Sequence, residues 1–521
     1  MVKTNQRVRK AQFLWIDDEV ELLKPYILFL EEKGYRLDCV NNGTDAIGMC
    51  RSKRYDMVFL DENMPGLSGL DTLTQLHELR SEMPVVMVTK SEDEGIMNGA
   101  IGRKIADYLI KPVHPHQVLM SIKKILDKKV LEEEATVENY RNAYRRINEE
   151  IGDARSLDAW KEIYRTLVRW ELELGRIDHP MAELLQAQKA EANRLFARFV
   201  QRHYADWILR SESCPVMSPD LLRHYLFPML DGGEKVFLIV IDNFRFDQWL
   251  AVKDIVCEEH LCDEAIYLSI LPTVTQYARN ALFSGLMPLR LAEAFPDLWA
   301  DESEEESKNL HEELLLAKLL ERTGKKRKFR FHKINNGMEG EKLLSGFSEL
   351  AQYDLVVLVF NFIDIMSHAR TESKMIRELS ADDAAYRSLT RSWFLHAPLW
   401  PLIRRAAAAG YRVMLTTDHG SIRVRNGLMI MGDRQTNVTL RYKLGKNLGY
   451  DPKAVCDTVH PESFGLPSPQ MSTRYIFARN DDFFLYPNQY NYYASLYRDT
   501  FQHGGISMEE MLIPFITLTT K

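Results

Sequence analysis

Val236-Phe237-Leu238-Ile239-Val240-Ile241-Asp242-Asn243 is the stretch that decides the fold. An unbroken apolar run, mostly β-branched and too short for a core helix, reads as a strand buried on both faces. It stops on a carboxylate. The pattern recurs twice. Leu355 to Phe360 is followed by Asp364 and, four positions on, His368; Tyr411 to Leu415 is followed by Thr417-Asp418-His419-Gly420. In an open α/β sheet, ligands bind outside the carboxyl ends of the strands. One sheet therefore delivers Asp242, Asp364, His368, Asp418 and His419 to one crevice. Two further pieces belong with them: Thr273-Val274-Thr275, and His503-Gly504-Gly505 near the C-terminus.

These residue types suit a two-zinc phosphoryl-transfer site. Zn²⁺ takes imidazole and carboxylate ligands. Two ions about 3.5–4 Å apart clamp the attacking and leaving oxygens of an in-line displacement. Asp364 and His368 lie one helical turn apart and can face one ion, with His503 completing its ligands. Asp418 and His419 point to the second ion, with Asp242 opposite. Thr275 is the candidate nucleophile, bound to that second metal. The segment after it, Gln276 to Phe283, reads as a helix whose free N–H groups and positive dipole end suit a phosphate. Asn243 is a candidate substrate contact, as are Lys443 and Lys446 in the basic stretch Arg441 to Asn447. Singly, each signal has a bland reading. Asp-x-x-x-His is commonly a surface pair, Asp-His-Gly a turn, and Thr273 or Thr275 a helix cap. Their joint occurrence at successive strand ends is what carries the metal reading.

A second set of chemistry lies upstream. From residue 11 to about 127, short strands (Ala11 to Ile16, Met57 to Leu60, Pro84 to Val88) alternate with amphipathic helices (Glu21 to Lys33, Leu70 to Leu79). This is a doubly wound pattern with a parallel sheet. Asp17-Asp18, Asp61 and Asn63, Thr89 and Lys111-Pro112 all fall at C-terminal strand ends. Three carboxylates make an oxygen-rich pocket for Mg²⁺. Lys111 neutralises charge there, and Thr89 can bond a phosphoryl oxygen.

The organisation is thus α/β at both ends with a helical middle, divided at 1–127, 128–215 and 216–521. In the middle, Trp160, Tyr164, Leu167, Trp170 and Leu174 recur at helical spacing, as a packing spacer or a dimer surface. An acidic run, Asp301 to Glu306, and a basic run, Lys325 to Lys333, lie in a helix-rich insertion. The part Lys325 to Phe331 reads as a solvated strand or turn, or as a nucleic-acid groove with an aromatic stacking face. The chain of 521 residues is 45% hydrophobic and 27% charged, with net charge −7, which argues against a protein that coats nucleic acid. Six cysteines with no CxxC pair suggest buried reduced thiols rather than a disulfide framework or a thiolate zinc site. No apolar run reaches the roughly 18 residues of a membrane helix, so the expectation is a cytoplasmic, unprocessed protein.

Residues 10 to 127 resemble a response-regulator receiver domain. That resemblance implies that Asp61 is the phosphoacceptor and that Asp18, Asp61 and the Asn63 carbonyl hold Mg²⁺ beside Asp17. It also implies that Thr89 and Tyr108 are the switch pair and Lys111 the phosphate contact. Residues 216 to 521 resemble the alkaline phosphatase superfamily, and Leu271 to Asn280 looks specifically like its PglZ branch. There the second threonine of Pro-Thr-x-Thr aligns with the nucleophile, which favours Thr275 over Thr273. Receiver, helical middle and PglZ-like domain together resemble the PorX-like family of response regulators, associated with type IX secretion in Bacteroidetes. For that family the resemblance implies zinc-dependent cleavage of cyclic and linear oligonucleotide phosphodiesters. It further implies a sensor histidine kinase as phosphodonor, an extracytoplasmic-function sigma factor as partner, and a phosphorylation-promoted homodimer. Two other readings stand beside it. One is a phospho-switched binding protein with a structural metal site; the other is a phosphomonoesterase or phosphomutase on the same fold.

Overall fold

The computed structural model describes residues 11–80, 82–90, 105–177, 179–209, 214–300, 309–372, 377–378, 380, 382–432, 439–468 and 472–521. The acidic run Asp301 to Glu306 lies outside them. The chain divides into two compact units, Met1–Asn139 and Tyr140–Lys521.

In the first unit, β1 (Gln12–Ile16), α1 (Lys24–Glu32), β2 (Arg36–Val40), α2 (Gly43–Ser52), β3 (Met57–Asp61), α3 (Gly69–Leu79), β4 (Val85–Thr89) and β5 (Asp107–Ile110) follow in order. The sheet is parallel throughout, in the order β2-β1-β3-β4-β5. Strands β3 and β4 are wholly buried, as apolar runs covered by helices on both faces must be. Ile16 pairs with Leu60, so Asp17 and Asp61 leave neighbouring strands at the same level. Helix α4 (Pro115–Asp153) begins in this unit, and the division between units falls within it.

The second unit opens with the helical middle. Helix α5 (Leu157–Leu174) starts on a Ser156 side-chain cap, and α6 (Met181–Ile208) follows. Trp160, Tyr164 and Leu167 are buried and share one core with the inner face of the sheet that follows. The aromatic seam is therefore used inside the chain rather than left as a surface for a second copy.

That sheet has six strands in the order β7-β18-β10-β6-β9-β8. They are β6 (Lys235–Ile241), β7 (His260–Leu268), β8 (Phe329–Ile334), β9 (Leu355–Phe360), β10 (Tyr411–Thr416) and β18 (Leu512–Thr520). Strands β8, β9, β6 and β10 are parallel, and β18 runs antiparallel to both of its neighbours, β10 and β7. The connecting helices include α7 (Phe246–Glu259), α8 (Thr275–Ser284), α9 (Glu312–Arg322), α10 (Phe362–Glu372) and α11 (Asp383–His396). Smaller strands between β10 and β18 form separate ribbons: β11 (Ile422–Arg423), β12 (Asn426–Met429), β13 (Tyr442–Gly445), β14 (Cys456–Thr458), β15 (Arg474–Phe477), β16 (Asp482–Leu485) and β17 (Phe501–Gln502). Register fixes what the strand ends deliver. Thr416 pairs with Val240 and Ile241 with Phe360, so Asp418, Asp242 and Asn361 emerge side by side.

One sequence expectation changes here, and one of two open readings is decided. Cys257 and Cys262 are paired in a disulfide, because α7 turns directly into β7 and brings their Cα atoms to 6.0 Å; none of the other four cysteines is in a disulfide. The basic-aromatic stretch becomes the edge strand β8. Its period of two turns Phe331 into the core against Phe283 and leaves Arg330 outside, so it offers no aromatic stacking face. Among the described residues, no helix is long and apolar enough to cross a membrane.

Candidate functional site

In the first unit, Asp17, Asp18 and Asp61 place one carboxylate oxygen each within 4.8 Å of one another. Asp17 and Asp61 are buried and Asp18 is exposed. Lys111 Nζ donates to Asp17 Oδ2 and Asp61 Oδ2, both at 2.7 Å. Burial raises the Asp61 pKa above the ordinary carboxylate value, and the Lys111 ammonium only partly offsets it. Burial also opposes the charge of Lys111, but its bonds to Asp17 and Asp61 outweigh that and raise its pKa. The backbone N–H of Asn63 points at Asp61 Oδ1 across 3.4 Å. Thr89 is buried at the end of β4, and Tyr108 is half-buried on β5. Three hard oxygens and one lysine fit a small divalent cation beside a phosphoryl group.

In the second unit the structure brings two donor groups together. Asp364, His368 and His503 form one, and Asp242, Asp418 and His419 the other, with ligand atoms in each within 4.8 Å. In the first group Asp364 Oδ2 is 3.3 Å from His368 Nε2, and Asp364 Oδ1 is 3.6 Å from His503 Nε2. In the second group His419 Nε2 is 3.6 Å from Asp242 Oδ1 and 3.9 Å from Asp418 Oδ2. The His419 and His503 rings stack with centroids 4.3 Å apart, so the two groups adjoin. His503 Nδ1 donates to the Thr273 carbonyl at 3.2 Å, and His419 Nδ1 donates to the Gly420 carbonyl at 3.1 Å. Both bonds turn the Nε2 edges of the rings inward, toward the carboxylates. Burial, aided by His419, pushes the His503 pKa down to about 3, so it stands neutral, the form a metal binds. Imidazole nitrogens and carboxylates at this spacing fit zinc.

The glycines of both motifs permit the approach. A Cβ on Gly420 would sit 2.1 Å from the Glu509 carbonyl oxygen; Gly504 has φ +118°, and a Cβ there would meet Tyr442 at 2.7 Å.

Thr275 opens α8, and its Oγ1 lies 3.1 Å from His419 Nε2 and 3.5 Å from Asp242 Oδ1. Thr273 is different. It is fully buried, donates to the Gly505 carbonyl at 3.0 Å and accepts the Gly504 N–H at 3.0 Å. It ties the His503 loop to the Thr275 loop.

One turn along α8 from Thr275 stands Arg279, to which sequence reasoning gave no role. Its guanidinium donates to Asp242 Oδ2 at 2.5 Å, Asp418 Oδ2 at 3.1 Å and Asn361 Oδ1 at 3.0 Å. Burial still lifts the Asp242 pKa well above the usual range despite Arg279. For Asp418 burial works the same way, but His419 and Arg279 outweigh it and hold its pKa low. Asp364 is likewise held low, chiefly by the His368 hydrogen bond against burial. The signal for Arg279 was its spacing of four from Thr275 on one helix face, legible only once both carboxylates were known to lie there.

Asn243 has φ 60° and donates through Nδ2 to Asp364 Oδ1 at 3.2 Å and Ser367 Oγ at 3.3 Å, which orients the first group. Lys443 is 1% exposed, with Nζ 4.8 Å from the Tyr486 ring centroid. Lys446 is exposed just past β13.

Comparison with known proteins finds three family matches along the chain. The family model described as the BREX system PglZ alkaline phosphatase-like domain matches residues 221–518. The chain belongs to the PglZ alkaline phosphatase-like family. A response regulator receiver domain matches residues 13–123, and the PorX response regulator linker domain matches 130–208. The PglZ-type domain is thus joined to a receiver through a PorX-type linker, the architecture of PorX-like response regulators. Receiver domains accept phosphoryl groups from sensor kinases, and the PglZ-type domain places the output in a hydrolase superfamily. Curated relatives match over shorter stretches, and the chain spans half the length of the first of them. The transcriptional regulatory protein ResD of Bacillus subtilis is 28% identical over 120 residues, 23% of this chain and 50% of ResD. The uncharacterized transcriptional regulatory protein YkoG of the same organism is 29% identical over 185 residues, 35% of this chain and 78% of YkoG. Among solved structures, a CheY-like receiver from Methanospirillum hungatei is 24% identical, covering 24% of this chain and 99% of that one at TM-score 0.23.

Proposed function

We propose that this PglZ-type domain is a zinc-dependent phosphodiesterase whose output is controlled by phosphorylation of Asp61. The observation that carries the reading is the position of Thr275. Its hydroxyl faces His419 and Asp242 from the first residue of a helix, where free N–H groups and the dipole favour a phosphoryl group. The residues proposed to hold two zinc ions are Asp364, His368 and His503 for one, and Asp242, Asp418, His419 and the Thr275 hydroxyl for the other. Bound there, zinc would lower the pKa of a coordinated hydroxyl and offset negative charge developing on phosphoryl oxygens. The chain's own groups do the remainder. Thr275 Oγ attacks the phosphorus in line, and its proton leaves toward the carboxylate side of the site, where Asp242 Oδ1 lies 3.5 Å away. The leaving alkoxide of the diester takes up a proton from solvent. Water then releases the phosphoryl group from Thr275. Asn243, Lys443 and Lys446 are the proposed substrate contacts, and Lys443 enters that set with its side chain buried against Tyr486.

The same reading takes cyclic or linear oligonucleotides as substrate. It assigns Mg²⁺ to Asp17, Asp18, Asp61 and the Asn63 carbonyl, with Thr89, Tyr108 and Lys111 as the receiver switch. It includes a sensor histidine kinase as donor, an extracytoplasmic-function sigma factor as partner, a phosphorylation-promoted dimer, a cytoplasmic location and a role in type IX secretion. Its domains are 1–127, 128–215 and 216–521.

The test compares Thr275→Ala with Thr273→Ala on a linear dinucleotide, with zinc content measured in each. Turnover should fall by at least about 10²-fold in Thr275→Ala with zinc retained, since loss of a nucleophile outweighs loss of one oxyanion donor. Near-normal turnover by Thr275→Ala rejects it as nucleophile. No turnover by the unmodified, zinc-loaded protein favours a binding output instead.

A further inference from the structure

Two loops that serve the second unit's donor groups, those of Thr275 and His503, are tied to the helical middle by buried polar contacts. From α6, Tyr204 Oη accepts the backbone N–H of Leu271 at 2.7 Å, two residues ahead of Thr273 and four ahead of Thr275. Three turns earlier on the same helix face, Asn193 Oδ1 accepts the N–H of Met508 at 2.7 Å, and Asn193 Nδ2 donates to Glu509 Oε2 at 2.8 Å. Both side chains are almost wholly buried: Tyr204 is 0% and Asn193 4% exposed.

The short helix Met508–Met511, whose first N–H is accepted by Asn193, is the hub of the metal loops. Glu510 accepts the Gly505 N–H at 2.8 Å, and its own carbonyl accepts the Gly420 N–H at 3.1 Å. Those glycines neighbour His503 and His419. Met511 offers its carbonyl to the Ser269 N–H at 2.8 Å, and Ser269 Oγ donates to the Asp418 carbonyl at 2.7 Å. From α5, Glu171 accepts from Arg387 at 2.9 Å, Arg387 also reaches Asp247 at 3.0 Å, and Asp247 holds Arg245, whose Nη1 donates to the Ser421 carbonyl.

We propose that α6 is a positioning element of the catalytic unit: Tyr204 sets the Thr275 loop, and Asn193 sets the turn that aims His503 and His419. This rests on the metal reading given above for what those loops do, but the positioning itself is independent of it. A linker that only spaced two domains would need an apolar seam and no hydrogen bonds into the site. A buried N–H left without an acceptor loses the full desolvation cost of the group, so each contact constrains its loop strongly.

The experiment uses the full chain, with Asn193→Ala, Tyr204→Phe and a control, Trp160→Phe. Trp160 is buried in the same helical middle against Phe196, and its indole Nε1 has no hydrogen-bond partner among the described residues, so this change costs packing without loosening a loop. Backbone hydrogen exchange is followed by mass spectrometry in metal-free protein. Asn193→Ala should speed exchange in peptides spanning 503–511, and Tyr204→Phe in peptides spanning 269–276, each roughly tenfold, as for one lost buried hydrogen bond. Trp160→Phe should spare both. In parallel, Asn193→Ala should weaken zinc binding in a chelator competition, by less than the roughly 10- to 100-fold lost with a partner bonded directly to a metal ligand. Exchange that changes equally in both peptides, or in neither, overturns the proposal. If the unmodified protein binds no zinc or cleaves no diester, the functional reading fails while selective exchange still upholds the positioning.

Discussion

Replacing Arg279 by Met should expose how the fold tolerates its own metal ligands. The guanidinium is 2% exposed and spans two carboxylates, at 2.5 Å from Asp242 and 3.1 Å from Asp418. Removing one partner of a buried ion pair costs about 3–5 kcal/mol, because the other charge is left uncompensated. Metal-free Arg279→Met should therefore lose stability on that scale. Zinc bound by the same carboxylates would supply the missing charge. The increment in stability on adding zinc should then be larger in the variant than in the unmodified protein, following the linkage between binding and folding. Denaturant unfolding with chelator and with excess zinc gives all four values. The pH dependence has a definite sign. Burial already holds the Asp242 pKa above the ordinary value, so its contribution is fully present below an unfolded pKa of roughly 3.9 and is lost as pH rises through the folded value. Without Arg279 that folded value rises further, and the variant's deficit should widen as pH climbs above the ordinary carboxylate range. An equal loss with and without zinc would refute the reasoning, since it would mean that Arg279 and the metal do not share the carboxylates.

Elemental analysis should find close to two zinc ions per chain in the unmodified protein, and about one after Asp418→Ala, because the Asp364 group is left whole; loss of both ions would show that the groups do not load separately. Beryllofluoride or acetyl phosphate with Mg²⁺ should move the protein toward dimer in sedimentation, and Asp61→Ala should abolish that response; an identical response would remove Asp61 as acceptor. Lys443 is pushed down to about 7 by burial. Relative to an unfolded value of about 10.4, its burial penalty is full below the folded value and fades as pH rises toward the unfolded one. Lys443→Met should therefore raise the Tm most near pH 6 and least near about pH 10, and a pH-independent difference would count against a buried ammonium.

The sequence alone determined the elements and their order. Apolar runs ending at Ile241, Phe360 and Leu415 could only be buried strands, and the observed strands β6, β9 and β10 carry them. The period of the hydrophobic pattern is a local property, so it survives without knowledge of partners. The same holds for the receiver, where consecutive strand ends supply Asp17, Asp61, Thr89 and Lys111. Tertiary structure decided the rest. The register of β10 against β6 brings Asp418 beside Asp242 across nearly half of the unit's sequence. Only that pairing reveals Arg279 as their shared cation and separates the buried, loop-tying Thr273 from Thr275. Asn193 and Met508 are 315 residues apart, and no local pattern marks their bond. A buried polar contact is chosen by where two backbones happen to meet, whereas a strand is chosen by its own residues. The fold was therefore legible in the chain, and the supports that aim its chemistry became legible only in three dimensions.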